Sequence, residues 1–155
     1  MTPSSDSRRR WLRTAVATGV AALLASCSVV PTAPPPPGAK VSQAGSAREY
    51  RVDAARHLYA LNSALIFRGV MPPMLYAIGV LQVDIDRRGQ VGQLKWLRAP
   101  SHAPEVMQQI ERLVRAAAPY PVPARLGTVT YTDTWLWDQS GRFQLDTLTE
   151  GQQSM

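Results

Sequence analysis

Four consecutive prolines at positions 34–37 divide this 155-residue chain more sharply than any other feature. Proline fixes φ and lacks an amide hydrogen, so such a run fits neither a helix interior nor a central strand and favours extended polyproline II. Residues 28–47 around it are mostly Pro, Ala, Gly, Ser and Val, too little apolar bulk to bury a core. They read as a semi-rigid spacer beginning at Cys27, and about twenty residues of it reach at most ~60 Å. A proline-rich peptide also suits aromatic grooves on other proteins, but behind an export leader a spacer is the simpler reading. The part able to fold as a domain is residues 48–148, and residues 149–155 lack periodicity and read as a disordered tail.

On the N-terminal side of the prolines, Arg8, Arg9, Arg10 and Arg13 precede a 12-residue apolar run at 14–25, followed by Ser26 and Cys27. A basic region, a short apolar region and small residues form the layout of a secretory signal, here residues 1–26. Twelve residues are too few to span a bilayer, which takes about 20. Two details resemble known export families. The stretch around Arg8 and Arg9 resembles a twin-arginine signal, although arginine-rich leaders also serve the general route. Leu24, Ala25, Ser26 and Cys27 resemble a lipobox, which implies cleavage between Ser26 and Cys27 and lipidation of the Cys27 thiol. The chain would then meet the membrane through lipid, facing the periplasm, and Ser28 after the cysteine favours the outer membrane over the inner. The alternative is an ordinary cysteine in a discarded leader. Cys27 is the sole cysteine, which excludes an internal disulfide and multi-cysteine metal or redox motifs.

The net charge of +6 invites a nucleic-acid reading. Cleavage removes Arg8, Arg9, Arg10, Arg13 and Asp6, taking 17 cations and 11 anions to 13 and 10, a net +3. The remaining cations are scattered, with only Arg87 and Arg88 adjacent and no basic stripe interleaved with aromatics. Nucleic acid is not an expected partner.

Within the domain, Tyr50, Ala54, Leu58, Leu61 and Leu65 recur at helical spacing and predict a helix over residues 48–67, ended by Arg68 and Gly69. Residues 75–86 alternate as a strand, with Leu81, Val83 and Ile85 on one side and Val80, Gln82, Asp84 and Asp86 on the other. Asp86, Arg87, Arg88 and Gly89 form a tight turn. The partner strand at 90–98 breaks strict alternation, which predicts a bulge near Gly92 and Gln93. Ser101 or His102 is the expected cap of a second helix, with Pro104 in its first turn and a buried stripe of Val106, Ile110, Leu113, Val114 and Ala117. Prolines at 119, 121 and 123 enforce an extended crossing. Val129, Tyr131, Trp135 and Trp137 then share one face of a strand over 127–138, and residues 143–148 close the set as an antiparallel neighbour. The expected class is α+β, a small antiparallel sheet with two helices packed on one face.

Residues 79–91, with their strand, turn and D-x-x-G-x-V ending, the second strand at 94–98, and the helix from Val106 to the aromatic-proline exit at Tyr120 and Pro121 resemble the C-terminal domain of TonB-type energy transducers. The resemblance spans about residues 59–145, more than half of the chain. It implies a non-enzymatic domain that binds an envelope protein, such as an outer-membrane receptor, by adding the partner's strand to a sheet edge. The edge expected to receive it is Phe143, Gln144, Leu145 and Asp146. Two departures count against the family's whole function: the apolar anchor ends in a lipobox, and the spacer is short for crossing a periplasm.

Candidates for chemistry are few, and no catalytic residue, cofactor or metal site is expected. Asp84 and Asp86 lie on one strand face at roughly 7 Å, a spacing that paired catalytic carboxylates use, but they flank a turn whose amides Asp86 is placed to bond. His57 and His102 sit on different helices without ligand partners at metal spacing. Ser101 beside His102 lacks the elbow of a nucleophilic serine. Trp96, Trp135 and Trp137 are either core aromatics or, if exposed, a platform for a partner or glycan. Three function classes stand: a partner-binding lipoprotein, a transducer subunit with an uncleaved anchor, and an envelope hydrolase or peptidoglycan binder.

Overall fold

The computed structural model describes Gly38 and residues 40–151. Arg8, Arg9, Ser26, Cys27, the leader and most of the spacer lie outside the described residues. The elements in chain order are β1 (Val41–Ser42), α1 (Ala47–Leu61), a 3-10 turn (Ser63–Leu65), β2 (Ala77–Ile85), β3 (Val91–Arg98), α2 (Pro104–Ala116), β4 (Val122–Pro123), β5 (Val129–Trp137), β6 (Phe143–Leu145) and a second 3-10 turn (Asp146–Leu148). The chain is α+β: an antiparallel sheet of order β3-β2-β5-β6, with a separate short parallel pair β1-β4.

The sheet has one packed face because the pleat sends alternate side chains to opposite sides. Leu81, Val83 and Ile85 of β2 join Tyr131, Trp135 and Trp137 of β5 in the core. Tyr50, Ala54, Ala55 and Leu58 of α1 and Val106, Ile110 and Val114 of α2 cover that face. Each large aliphatic side chain so buried contributes roughly 1.5–3 kcal/mol, so this face holds the fold together.

α1 starts on a capping box. Ser46 Oγ accepts from the Glu49 amide (3.3 Å), and Glu49 Oε2 reaches back to the Gly45 amide (2.8 Å). It ends six residues before the expected 67. The Asn62 amide (3.0 Å) and side-chain Nδ2 (2.9 Å) both donate to the Leu58 carbonyl, closing the helix there. Apolar periodicity runs past this point because Leu65 and Ile66 still pack on the core, from a 3-10 turn and a bridge. α2 is capped by neither Ser101 nor His102: buried Ala103 occupies the cap without a side-chain bond, and Pro104 supplies the preset first turn.

The β2–β3 hairpin turns as its residues dictate. Asp86 Oδ1 accepts from the Arg88 (2.7 Å) and Gln90 (2.8 Å) amides, and Gly89 takes the positive φ of 77° that closes the turn. The bulge expected near Gly92 and Gln93 is present as a register shift between the pairs Val83–Leu94 and Ile85–Val91. A second shift separates Leu81–Trp96 from Val80–Arg98, so β3 carries an extra residue at each end. The turn also touches the α2–β4 crossover, where the Tyr120 amide donates to the Gly89 carbonyl at 2.7 Å.

Both ends of the folded region extend beyond residues 48–148. Val41 and Ser42, placed by composition in the spacer, pair with Val122 and Pro123, and the Ser42 hydroxyl donates to Asp53 at 2.6 Å. At the other end, Thr149 and Glu150 bond Gln144, and the Gly151 carbonyl accepts from the Met71 amide at 2.9 Å. Long-range hydrogen bonds hold both segments, which carry few apolar residues, Ala44 being the one buried in the core.

Candidate functional site

A four-stranded open sheet has two edges, and each presents backbone groups that must find partners or water. The β6 edge is the one the sequence points to. Its residues Phe143, Gln144 and Leu145 are nonetheless buried, at 0%, 1% and 1% exposure. The Phe143 carbonyl accepts from the Phe67 amide (2.9 Å), and the Leu145 amide donates to the Tyr59 hydroxyl (2.9 Å). Gln144 uses its whole side chain: Nε2 donates to the Phe67 (2.9 Å) and Gly69 (2.8 Å) carbonyls, while Oε1 accepts from the Thr149 hydroxyl and the Glu150 amide. Asp146 is exposed but belongs to the 3-10 turn rather than the strand. The expected exposed strand over 143–148 is therefore a three-residue strand whose outer side is covered by residues 66–69. An incoming strand would have to displace that cover.

The aromatic residues of this end explain the sealing. Trp135 and Trp137 are each 2% exposed, and both lie against Phe143, at centroid distances of 4.8 Å and 5.5 Å, the second pair nearly parallel at 7°. These tryptophans are core side chains and offer no surface to a glycan or partner. Beside them is an open hollow of about 530 Å³, lined by Ser63, Ala64, Ile66, Phe67, Arg68 and Arg142.

The opposite edge, β3, pairs with β2 on one side and, among the described residues, with no strand on the other. Among the described residues, no backbone hydrogen bond outside its ladder with β2 reaches residues 91–98. Lys95, Leu97 and Arg98 are exposed, with Leu97 at 52%. Trp96 anchors the strand by folding under α2, where its indole donates to Glu111 at 2.7 Å. A Cβ at Gly79 would meet the Trp96 ring at 2.6 Å, so the glycine on β2 makes the space in which that indole lies. This edge was not singled out by the sequence. The available signal was the loss of strict alternation at residues 94–98, where a bulged edge strand exposes more than half of its residues.

The polar candidates are committed to structural bonds. The Thr130 hydroxyl donates to Asp84 at 2.6 Å, and Asp86 holds the hairpin amides as expected. His57 Nε2 lies 2.7 Å from the Ala117 carbonyl with its ring 5.0 Å from Tyr120, and His57 Nδ1 has no partner. His102 Nε2 lies 2.8 Å from the Tyr76 carbonyl, and the Tyr76 hydroxyl donates to Glu105 at 2.7 Å, which holds the Glu105 carboxyl below its usual range. Among the described residues no three His, Cys, Asp or Glu side chains are grouped as metal ligands. Asp133, unremarked in the sequence, is 2% exposed on the core face of β5, and burial pushes its carboxyl up from the usual range. Its Oδ1 accepts from the Thr134 (2.9 Å) and Thr147 (3.3 Å) amides, while Oδ2 has no partner.

No family model matches the chain, and no curated protein or solved structure matches it either. Among the described residues no helix is long and apolar enough to cross a membrane.

Proposed function

We propose that this chain is a non-enzymatic cell-envelope lipoprotein, tethered through Cys27, whose folded domain binds a protein partner by accepting an extended strand. One observation carries the binding part of this reading: among the described residues the sheet is sealed along β6 but open along β3. Strand addition needs a row of unpaired backbone groups, and β3 supplies one. The order of helix, hairpin, helix and strand pair supports the resemblance to the TonB C-terminal domain, and the docking edge moves from Phe143, Gln144, Leu145 and Asp146 to residues 91–98. The polar side chains that would serve catalysis are held in turns and caps, which favours binding over chemistry. The partner would be an envelope protein, such as an outer-membrane receptor, reached from a lipid-held domain.

The tethering part rests on the lipobox-like Leu24, Ala25, Ser26 and Cys27. Labelling cells with a radioactive fatty acid and fractionating membranes tests it. Wild-type protein is expected to be labelled and to sediment with the outer membrane, and Cys27→Ala is expected to lose the label. Unlabelled, full-length wild-type protein in the inner membrane would overturn this and favour a transducer subunit with an uncleaved anchor.

A further inference from the structure

We infer that the open β3 edge selects acidic extended segments, those with Asp or Glu at alternate positions. This rests on the strand-addition reading above and adds the chemistry of the partner. Lys95 pairs with Gln82, and Arg98 pairs with Val80. Gln82 and Val80 are two apart on β2 and share the face turned away from the helices. Lys95 and Arg98 are three apart, so in a regular strand they would point to opposite faces. The extra residue between Trp96 and Arg98 corrects the step, and the bulge brings both cations to one face of the edge.

The charges around that edge are unbalanced. Arg87 and Arg88 stand at its hairpin end, exposed. Arg115 of α2 is one helical turn from Glu111, the residue that bonds Trp96, and so shares the helix face turned to β3. The side chains of Arg87, Arg88, Lys95, Arg98 and Arg115 make no hydrogen bond or ion pair with any described residue. The nearby acids, Asp84 bonded by Thr130, Asp86 by the hairpin amides and Glu111 by Trp96, accept only from neutral donors and keep their charge, so five cations stand against three anions. The edge is thus a row of free backbone groups flanked by a net positive charge, with Lys95 and Arg98 on its open face.

A strand added to β3 would place its side chains about 5 Å from those opposite. Carboxylates at alternate positions would then face Lys95 and Arg98 on the open side of the sheet. A second copy of this chain is a poor occupant, since pairing β3 with β3 sets the same cations against each other.

The test uses the full chain in nonionic detergent, labelled for amide NMR, and two synthetic nonapeptides alternating Val with either Glu or Lys. The Glu peptide is expected to shift the amides of β3 and not those of β6, and to bind roughly tenfold more tightly than the Lys peptide at low salt, a gap that high salt narrows. The exposed double variant Lys95→Glu, Arg98→Glu is expected to invert the preference. Equal binding of both peptides by wild type and variant would overturn the acidic selectivity while leaving strand addition standing. No shift in β3 with either peptide would overturn strand addition at this edge, and the inference with it. Shifts of β3 that grow with protein concentration alone would overturn it in favour of self-pairing. Shifts produced by phosphatidylglycerol vesicles but by neither peptide would overturn it in favour of a lipid surface.

Discussion

Gly89→Ala should be among the most damaging single changes in this domain. Gly89 has φ 77°, which costs an L-residue with a Cβ about 1–2 kcal/mol. A Cβ there would also overlap the Tyr120 carbonyl oxygen, backbone that cannot swing aside as a side chain would. Relief requires the hairpin to withdraw from the crossover, breaking the 2.7 Å bond from the Tyr120 amide to the Gly89 carbonyl. Losing that bond with its groups left buried costs about 1–3 kcal/mol more. The sum, about 2–5 kcal/mol, is a large share of the 5–15 kcal/mol typical of a domain. Gly141 provides the control, with φ 80° and nothing within 4 Å of an added Cβ. Gly141→Ala should therefore cost only the conformational part, about 1–2 kcal/mol. Urea unfolding followed by tryptophan fluorescence measures both, provided the m-values agree. Equal losses for the two variants would refute the account of the hairpin packed against the crossover.

Gln144→Ala should cost about 1–3 kcal/mol, since it removes the donor to the half-buried Phe67 and Gly69 carbonyls, and should speed amide exchange at residues 66–71 and 149–151. Asp133→Asn should stabilise the domain at neutral pH. Burial raises the folded-state value, so stability falls as pH climbs from the unfolded carboxylate range through that value and is level above it. The variant keeps the Oδ1 acceptor and loses the fall, so the two proteins should differ at pH 7 and converge at about pH 3, as urea unfolding at each pH would show. Trp96→Phe removes the bond to Glu111 and should cost about 1–2 kcal/mol in the same assay, more if β3 loosens from α2.

The strands were legible in the sequence where tertiary structure asked for nothing beyond alternation. Leu81, Val83 and Ile85 face the core as their spacing says, and so do Val129, Tyr131, Trp135 and Trp137. The turn at Asp86 and Gly89 was legible because its chemistry is local. The end of α1 was not, because Leu65 and Ile66 continue the apolar pattern after Asn62 has closed the helix. The edges were hidden for a deeper reason. Which strand ends up outermost, and whether it is covered, depends on contacts across the whole chain, such as Gln144 reaching Phe67 and Gly69 over more than seventy residues. A glutamine between Phe143 and Leu145 reads as a solvent-facing residue of an edge strand. Its burial follows only from partners that sequence spacing does not reveal.

The central claim, a sheet with one sealed and one open edge, is tested most directly by residue-resolved amide hydrogen exchange on the full chain without any partner. The amides of Phe67 and Leu145, held by Phe143 and Tyr59, should be protected, while alternate amides along β3 should exchange orders of magnitude faster. Protection running evenly along β3, with Phe67 and Leu145 exchanging freely, would contradict the account and return the docking edge to β6.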